Sequence, residues 1–366
     1  MTLAHDELTA YLSDHILASL VTAAIGDAMG AASEQHTIGE VVARYGGLLK
    51  EFHAPSTETF SHGNLAGQIT DDCSQMFLLA QLLIDCDGIF PEASWIAALV
   101  EWSQTSPHRN QMGPTSRPLL EAIATGQDTT MIGCNPMSKR RLTTFGATNG
   151  AAMRIAPVGL IWPGNIERAV ELAWQTCRLT HNTQIAAAGA GAIAAGVSNA
   201  LESDAGVWSV VRACLDGARM GEIIGLREGR NVPGPNIARR IELAVEEALR
   251  ARDLLDAIYR IEATVGTSVM MADSVPAAIG LFVAANGDPL ATVSAGATIG
   301  NDSDTIASMA GSLAGALSGM ETVPTNLFAQ VKSANIEDIE SLASGLTRIC
   351  TSRLSFASNA AQSNRS

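Results

Sequence analysis

Apolar positions recur along this 366-residue chain at helical spacing. The first stretch, Leu8–Met29, carries Tyr11, Leu12, Ile16, Leu17, Leu20, Val21 and Ala24 at that period. Cys73–Cys86, Trp95–Trp102, Pro118–Ala124, Ile166–Cys177, Thr183–Leu201, Val207–Met220 and Asn236–Tyr259 extend the series. Val275–Ala285, Pro289–Ala297, Ser303–Leu317 and Ile336–Ile349 complete it. Period-two alternation with β-branched residues is nearly absent, so no sheet is predicted. Gly, Pro and Asn gather in the connections at 46–47, 133–136, 146–150 and 232–236, and none of these resembles an interdomain linker. The pattern predicts one compact, many-helix all-α domain over residues 1–351. A Ser- and Asn-rich tail, 352–366, is expected to fray.

Composition narrows this picture. Hydrophobic residues make up 47% and charged residues 16%, which excludes a disordered chain. The formal net charge is −14, and only Lys50, Lys139 and Lys332 are lysines, so a phosphate-backbone-binding surface is not expected. Aromatics are 4%, too few for a base-stacking platform. Alanine-rich apolar runs favour helices whose backbones approach closely.

The six cysteines, Cys73, Cys86, Cys134, Cys177, Cys214 and Cys350, are scattered without a CxxC pair and read as reduced thiols. The first 14 residues contain acids and lack a basic n-region, so no signal peptide is visible. Thr183–Leu201 is uncharged but mostly Ala and Gly, which suits a core helix better than a membrane span. The expected location is cytoplasmic, with no membrane partner.

The acids are unevenly placed. Gly67-Gln68-Ile69-Thr70-Asp71-Asp72 opens one apolar helix, and Gly300-Asn301-Asp302-Ser303-Asp304-Thr305 opens another. One acid at a helix start is an ordinary cap that also suits the helix dipole. Two adjacent acids repel, so capping alone accounts poorly for both motifs. Carboxylates and hydroxyls at these positions suit a hard cation such as Mg²⁺, Mn²⁺ or Ca²⁺; EF-hand spacing and a zinc-type His/Cys cluster are both missing.

A third acidic stretch, Ala24–Glu34, embeds Asp27 among small apolar residues, where it is read as a buried carboxylate tying a neighbouring loop. Glu34, just past Gly30, fits either a surface acid or a carboxylate aimed into a cleft. The Gly146–Gly150 run fits a turn or a phosphate-binding loop. Arg154 fits a phosphate contact or, preferably, a structural salt bridge to a buried acid. Gly113-Pro114-Thr115-Ser116 has helix-start chemistry.

Taken together, these motifs resemble the ADP-ribosylglycohydrolase family. The resemblance is carried by AIGDAMGAASE at Ala24–Glu34, TDDC at Thr70–Cys73, NGAAMRIAP at Asn149–Pro157, THN at Thr180–Asn182 and GNDSDTIASMAGSLAG at Gly300–Gly315. It implies an all-helical fold around a cleft with two Mg²⁺, or alternatively Mn²⁺, ions. Position by position, the implied metal ligands are Thr70, Asp71, Asp72, Asp302, Asp304 and Thr305. Glu34 matches the family glutamate that lies beside the metals and can act in catalysis, and Asp302 or Glu34 is expected to orient or deprotonate the attacking water. Gly113, Thr115, Ser116, Thr148, Asn149, Gly150 and His181 are the implied substrate-binding residues. The implied activity is metal-dependent cleavage of the glycosidic bond at ribose C1 of an ADP-ribosylated protein or small molecule, releasing ADP-ribose.

Three departures accompany the resemblance. Cys73 replaces the family's usual Thr after the TDD run. Asn301 and Ser303 replace Gly and Thr of a GGDTDT pattern, and the bulk of Asn301 bears on substrate fit more than on metal binding. No Asp or Glu occurs in Ser103–Arg117, where some members use an acid. Two other functions fit the residues: hydrolysis of a small ribosyl or nucleotide compound, and a non-catalytic, crystallin-like binding role, against which the intact acidic clusters argue.

Overall fold

The computed structural model describes residues 5–363. Sixteen α-helices follow in chain order: α1 His5–Gly30, α2 Ile38–Tyr45, α3 Asp71–Asp85, α4 Glu92–Thr105, α5 Ser116–Ala124, α6 Ala156–Leu160, α7 Ile166–Cys177 and α8 Gln184–Ala200. Then come α9 Val207–Glu228, α10 Ile237–Arg250, α11 Leu254–Val265, α12 Met271–Ala284, α13 Pro289–Thr298, α14 Ser303–Ser318, α15 Thr325–Ala334 and α16 Ile339–Ser363. Among the described residues there is no strand, only isolated backbone bridges such as Glu34–Asn301 and Thr148–Met270. The all-α expectation holds. The expected fraying tail coincides with the last turns of α16 and with residues 364–366, which lie outside the described residues.

Most helices coincide with the apolar periodicity, and the differences have local causes. The single helix predicted over Asn236–Tyr259 is two, because the Asp253 side chain accepts the Asp256 N–H at 2.8 Å and starts α11 afresh. The short helix α2 was not evident from the apolar pattern. A capping box between Thr37 and Glu40 starts it, and Gly46 in the left-handed region ends it.

The pair α1 and α14 forms the centre, with α13 and α16 against α1 and with α8 and α12 against α14. The crossing is close because small residues meet there. A Cβ on Gly30 would stand 2.4 Å from the Asp304 Cα. That contact presses the end of α1 onto the beginning of α14. By length and composition α1 could cross a membrane, but residues 18–34 are buried inside the protein. Helix α8, the apolar run weighed above, is buried along almost its whole length.

The core is dominated by Ala, Ile, Leu and Val, as the composition suggests. All six cysteines are free, with Cys73, Cys177, Cys214 and Cys350 buried.

Candidate active site

Three chain segments bring their acids together. The end of α1 supplies Asp27 and leads into Glu34, the start of α3 supplies Asp71 and Asp72, and the start of α14 supplies Asp302 and Asp304. All six carboxylates are buried, the most exposed at 6%. The positive ends of the α3 and α14 dipoles face this region, which favours negative charge there.

Asp27 is fully buried and does what its sequence context suggested. Its oxygens accept the Thr70 N–H at 3.0 and 3.1 Å and the Cys73 N–H at 3.1 Å, which pins the start of α3 to α1. Thr70 caps α3 by accepting the Asp72 N–H at 3.3 Å. Backbone pairing brings Glu34 beside the 300–302 turn: Gln35 N–H reaches Asn301 O at 2.8 Å, and Asn301 N–H reaches His36 O at 2.9 Å. Gly300 has φ +74°, and a Cβ there would lie 2.2 Å from His36 O. The close approach in this turn is therefore made by Gly300. Asn301, at φ +55°, occupies a left-handed conformation that Asn tolerates, and its side chain is exposed.

A cleft of ≈ 500 Å³ opens over these acids. Of the residues singled out in the sequence, Glu34, Asp71, Asp72, Asp302, Asp304, Thr305, Gly113, Ser116, Thr148, Asn149, Gly150 and His181 all line it. Thr70 and Thr115 lie behind its wall. Thr115 is buried and accepts both the Gly146 N–H, at 3.2 Å, and the Thr148 hydroxyl, at 2.8 Å. Asn149 Nδ2 donates to Asp302 Oδ2 at 2.5 Å and to Ser274 Oγ at 3.1 Å, joining the loop to the start of α14.

The Gly146–Gly150 loop is less available to phosphate than its sequence suggests. The N–H groups of Gly146, Ala147 and Asn149 are bonded to Thr115 Oγ1, Thr144 O and Val269 O. Arg154 likewise meets no acid directly. Its guanidinium donates to Gln75 Oε1 at 2.8 Å and to Thr180 Oγ1 at 2.7 Å, and it lies 5.5 Å from the Trp95 ring centre. The preferred salt bridge is replaced by neutral acceptors because Gln75 and Thr180 fill its donor directions.

Like charges in a dry pocket raise carboxyl pKa values. Burial, then Asp302 and Asp71, lift Glu34 to about 8. Burial, then Asp27 and Asp302, lift Asp71 to about 7. Burial lifts Asp302 to about 6 against its bonds from Asn149 and Thr305. Asp72 and Asp304 are raised well above the ordinary carboxylate range by burial and their acidic neighbours. Among the described residues no Lys, Arg or His nitrogen forms an ion pair with any of the six.

The donor chemistry fits a hard cation. Every candidate ligand is a carboxylate or hydroxyl oxygen, and Asp72 Oδ2 is buried with no hydrogen-bond partner. Among the described residues no three His, Cys, Asp or Glu side chains are gathered into a ligand cage.

The sequence reading missed other lining residues, including Phe60, Gln111, Met112, Arg117 and Met153. Phe60 carried a weak signal, as one of few aromatics in a polar stretch next to Ser61, whose hydroxyl donates to Glu34 Oε2 at 3.3 Å.

This fold and site define an all-helical protein built around one carboxylate-rich cleft. The ADP-ribosylglycohydrolase family model matches residues 8–354, and the chain belongs to that family. Membership places it among hydrolases of ADP-ribose-linked substrates. The chain is 28% identical over 340 residues to the uncharacterized protein YegU of Escherichia coli (strain K12), covering 92% of this chain and 97% of that one. It is also 28% identical over 221 residues to the ADP-ribosylhydrolase ARH3 of Bos taurus, covering 55% of this chain and 57% of that one. A solved structure described as an ADP-ribosylglycohydrolase-related protein complex shares the fold, with a TM-score of 0.64 and 21% identity over 93% of this chain and 99% of that one.

Proposed function

We propose that this protein is a divalent-metal-dependent glycohydrolase that cleaves the bond at ribose C1 of ADP-ribosylated substrates and releases ADP-ribose. The observation that carries this reading is the set of six buried carboxylates with no cationic partner, one of them with an orphaned oxygen. Such a cluster is costly without a counter-charge, and oxygen donors of this kind suit hard divalent cations, Mg²⁺ or Mn²⁺ in this reading. Asp71, Asp72, Asp302, Asp304 and Thr305 would hold two such ions, with Thr70 at the edge of the set. When bound, divalent cations neutralise the cluster, orient ribose hydroxyls and lower the pKa of a water.

The protein's own groups supply the rest. Asn149 fixes the Asp302 carboxylate through its amide. Asp302 or Glu34 positions a water on C1 and accepts its proton as positive charge builds on the ribose. Glu34 is held by Ser61 and lines the same cleft as Asp302. Thr148, Asn149, Gly150 and His181 line the same cleft and would contact the sugar.

The test is ADP-ribose release from ADP-ribosyl-arginine, ADP-ribosyl-serine and O-acetyl-ADP-ribose, with nucleosides as a further arm, in Mg²⁺, Mn²⁺ or EDTA. Release with at least one ADP-ribosyl substrate, lost in EDTA and in Asp302→Asn, is expected. Turnover of nucleosides alone would shift the reading to small ribosyl compounds. Full metal-dependent turnover by Asp302→Asn would remove the role given to Asp302.

A further inference from the structure

Asp71 and His181 both line the cleft, and a continuous line of buried side chains joins them. Asp71 Oδ2 accepts Gln75 Nε2 at 3.0 Å, and Gln75 Oε1 accepts Arg154 Nη1 at 2.8 Å. Arg154 Nη2 meets Thr180 Oγ1 at 2.7 Å, and Thr180 Oγ1 meets His181 Nδ1 at 2.8 Å. His181 Nε2 then meets Thr148 Oγ1 at 2.9 Å. Gln75 and His181 are fully buried, Arg154 is 1% exposed and Thr180 4%.

The polarity of this line follows from its two ends. A guanidinium only donates, so Thr180 Oγ1 accepts from Arg154 and has its proton free for His181 Nδ1. The Thr148 hydroxyl donates to Thr115 Oγ1 and is left to accept from His181 Nε2. With Nδ1 accepting, the ring proton sits on Nε2 and is donated to Thr148. In the other direction, Arg154 claims the Gln75 oxygen, so the Gln75 NH₂ faces Asp71 and holds one carboxylate oxygen.

We infer that Arg154, with Gln75 and Thr180 as its two arms, is a positioning residue that sets the Asp71 carboxylate at one end of this line and the His181 tautomer, and through it Thr148, at the other. The inference rests on the proposed function for its consequence in catalysis, though not for its geometry. His181 then serves as a neutral donor to Thr148 and takes no proton from substrate. Burial and the Arg154 charge, which push its imidazole well below the ordinary value, agree with that. Partners that orient metal ligands and substrate contacts in this way typically contribute about 10–100-fold in affinity or activity.

The two arms separate in experiment. Thr180→Val removes the proton given to Nδ1, so ¹⁵N NMR of the metal-free, histidine-labelled protein should show His181 leaving the pure Nε2–H form. KM for the ADP-ribosyl substrate should rise about tenfold with little change in cation affinity, and Thr180→Ser should restore both. Gln75→Leu should weaken Mn²⁺ binding by calorimetry about tenfold while leaving the His181 tautomer and KM in place. Thermal melts confirm folding, and Thr180→Ala and Gln75→Met replace any variant that fails.

An unchanged Nε2–H form in Thr180→Val, or unchanged Mn²⁺ affinity in Gln75→Leu, overturns the inference. If the wild-type protein hydrolyses no ADP-ribosyl substrate, the functional reading falls, while the tautomer and the Mn²⁺ titration still decide the positioning line. If it binds no Mn²⁺ either, the tautomer alone decides.

Discussion

Asp27 on α1 accepts the backbone N–H of Thr70, the residue that caps α3, with both of its carboxylate oxygens. This one side chain fixes where the TDD run begins relative to the α1–α14 pair. Because it is fully buried, removing it leaves the Thr70 and Cys73 N–H groups without partners. Asp27→Ala should therefore cost about 2–4 kcal/mol of stability, from two orphaned donors at about 1–3 kcal/mol each, partly offset by relief of a buried acid. Urea unfolding measures this. A loss under about 1 kcal/mol would mean that Asp27 does not anchor α3.

The raised carboxyl pKa values dictate how stability depends on pH. Glu34, Asp71 and Asp302 hold protons in the folded state up to about 8, 7 and 6, above their ordinary values. Between those ordinary values and the raised ones the folded protein binds more protons than the unfolded chain, so unfolding free energy falls as pH rises. In EDTA the Tm should decline from about pH 5 to pH 8. Mg²⁺ or Mn²⁺ should raise it, increasingly toward pH 8, because cations and protons compete for the same oxygens. A Tm in EDTA that is flat or rising over this range contradicts the site electrostatics.

Gly30 decides how close α1 lies to the start of α14. A methyl group there would stand 2.4 Å from the Asp304 Cα, so backbone must shift. Gly30→Ala should cost about 1–3 kcal/mol, the usual range for overpacking, and should also weaken Mn²⁺ binding because Asp304 moves. Gly39→Ala is the control, since its added Cβ meets nothing within 4 Å. Equal effects at both positions would show that the crossing is slack.

Glu34→Gln keeps the shape and the Ser61 contact of the side chain while removing its capacity to take a proton. Under the proposed mechanism kcat should fall about 10²–10⁴-fold, the range for general acid–base catalysis, with Mn²⁺ affinity altered far less. Rates at pH 6 to 9 test it. If kcat keeps at least a tenth of the wild-type value, Asp302 is the base instead.

Asn301→Gly tests a departure from the family pattern. The position has φ +55°, where Gly is unstrained, and its side chain is exposed. The variant should melt within about 0.5 °C of wild type, a shift corresponding to a few tenths of a kcal/mol in a chain of this length. Asn301→Val, β-branched in a left-handed conformation, should lose about 1–2 kcal/mol. Equal stability of the two would show that backbone conformation does not select the residue here.

Much of the site could be read in the chain because helix starts announce themselves. Thr70-Asp71-Asp72 and Asp302-Ser303-Asp304-Thr305 stand directly before long apolar runs, so their position on a helix end was evident from pattern. Asp27 was legible as buried from its small apolar neighbours. Gln75 gave no such signal: it is a polar residue one turn into α3 that looks like any solvated helix position until Arg154, 79 residues away, is packed against it.

By itself, then, the sequence determined the helical class, the two acidic helix starts and the small-residue composition, since these follow from local periodicity and side-chain size. Tertiary structure alone decided which acids share a cleft, that Thr70 and Thr115 stand behind its wall, and that Arg154 binds neutral partners. The reason is physical. Burial, shared charge and hydrogen-bond polarity are properties of groups that meet from distant parts of the chain, and only the close crossing at Gly30 and the Asp27 anchor bring those parts together.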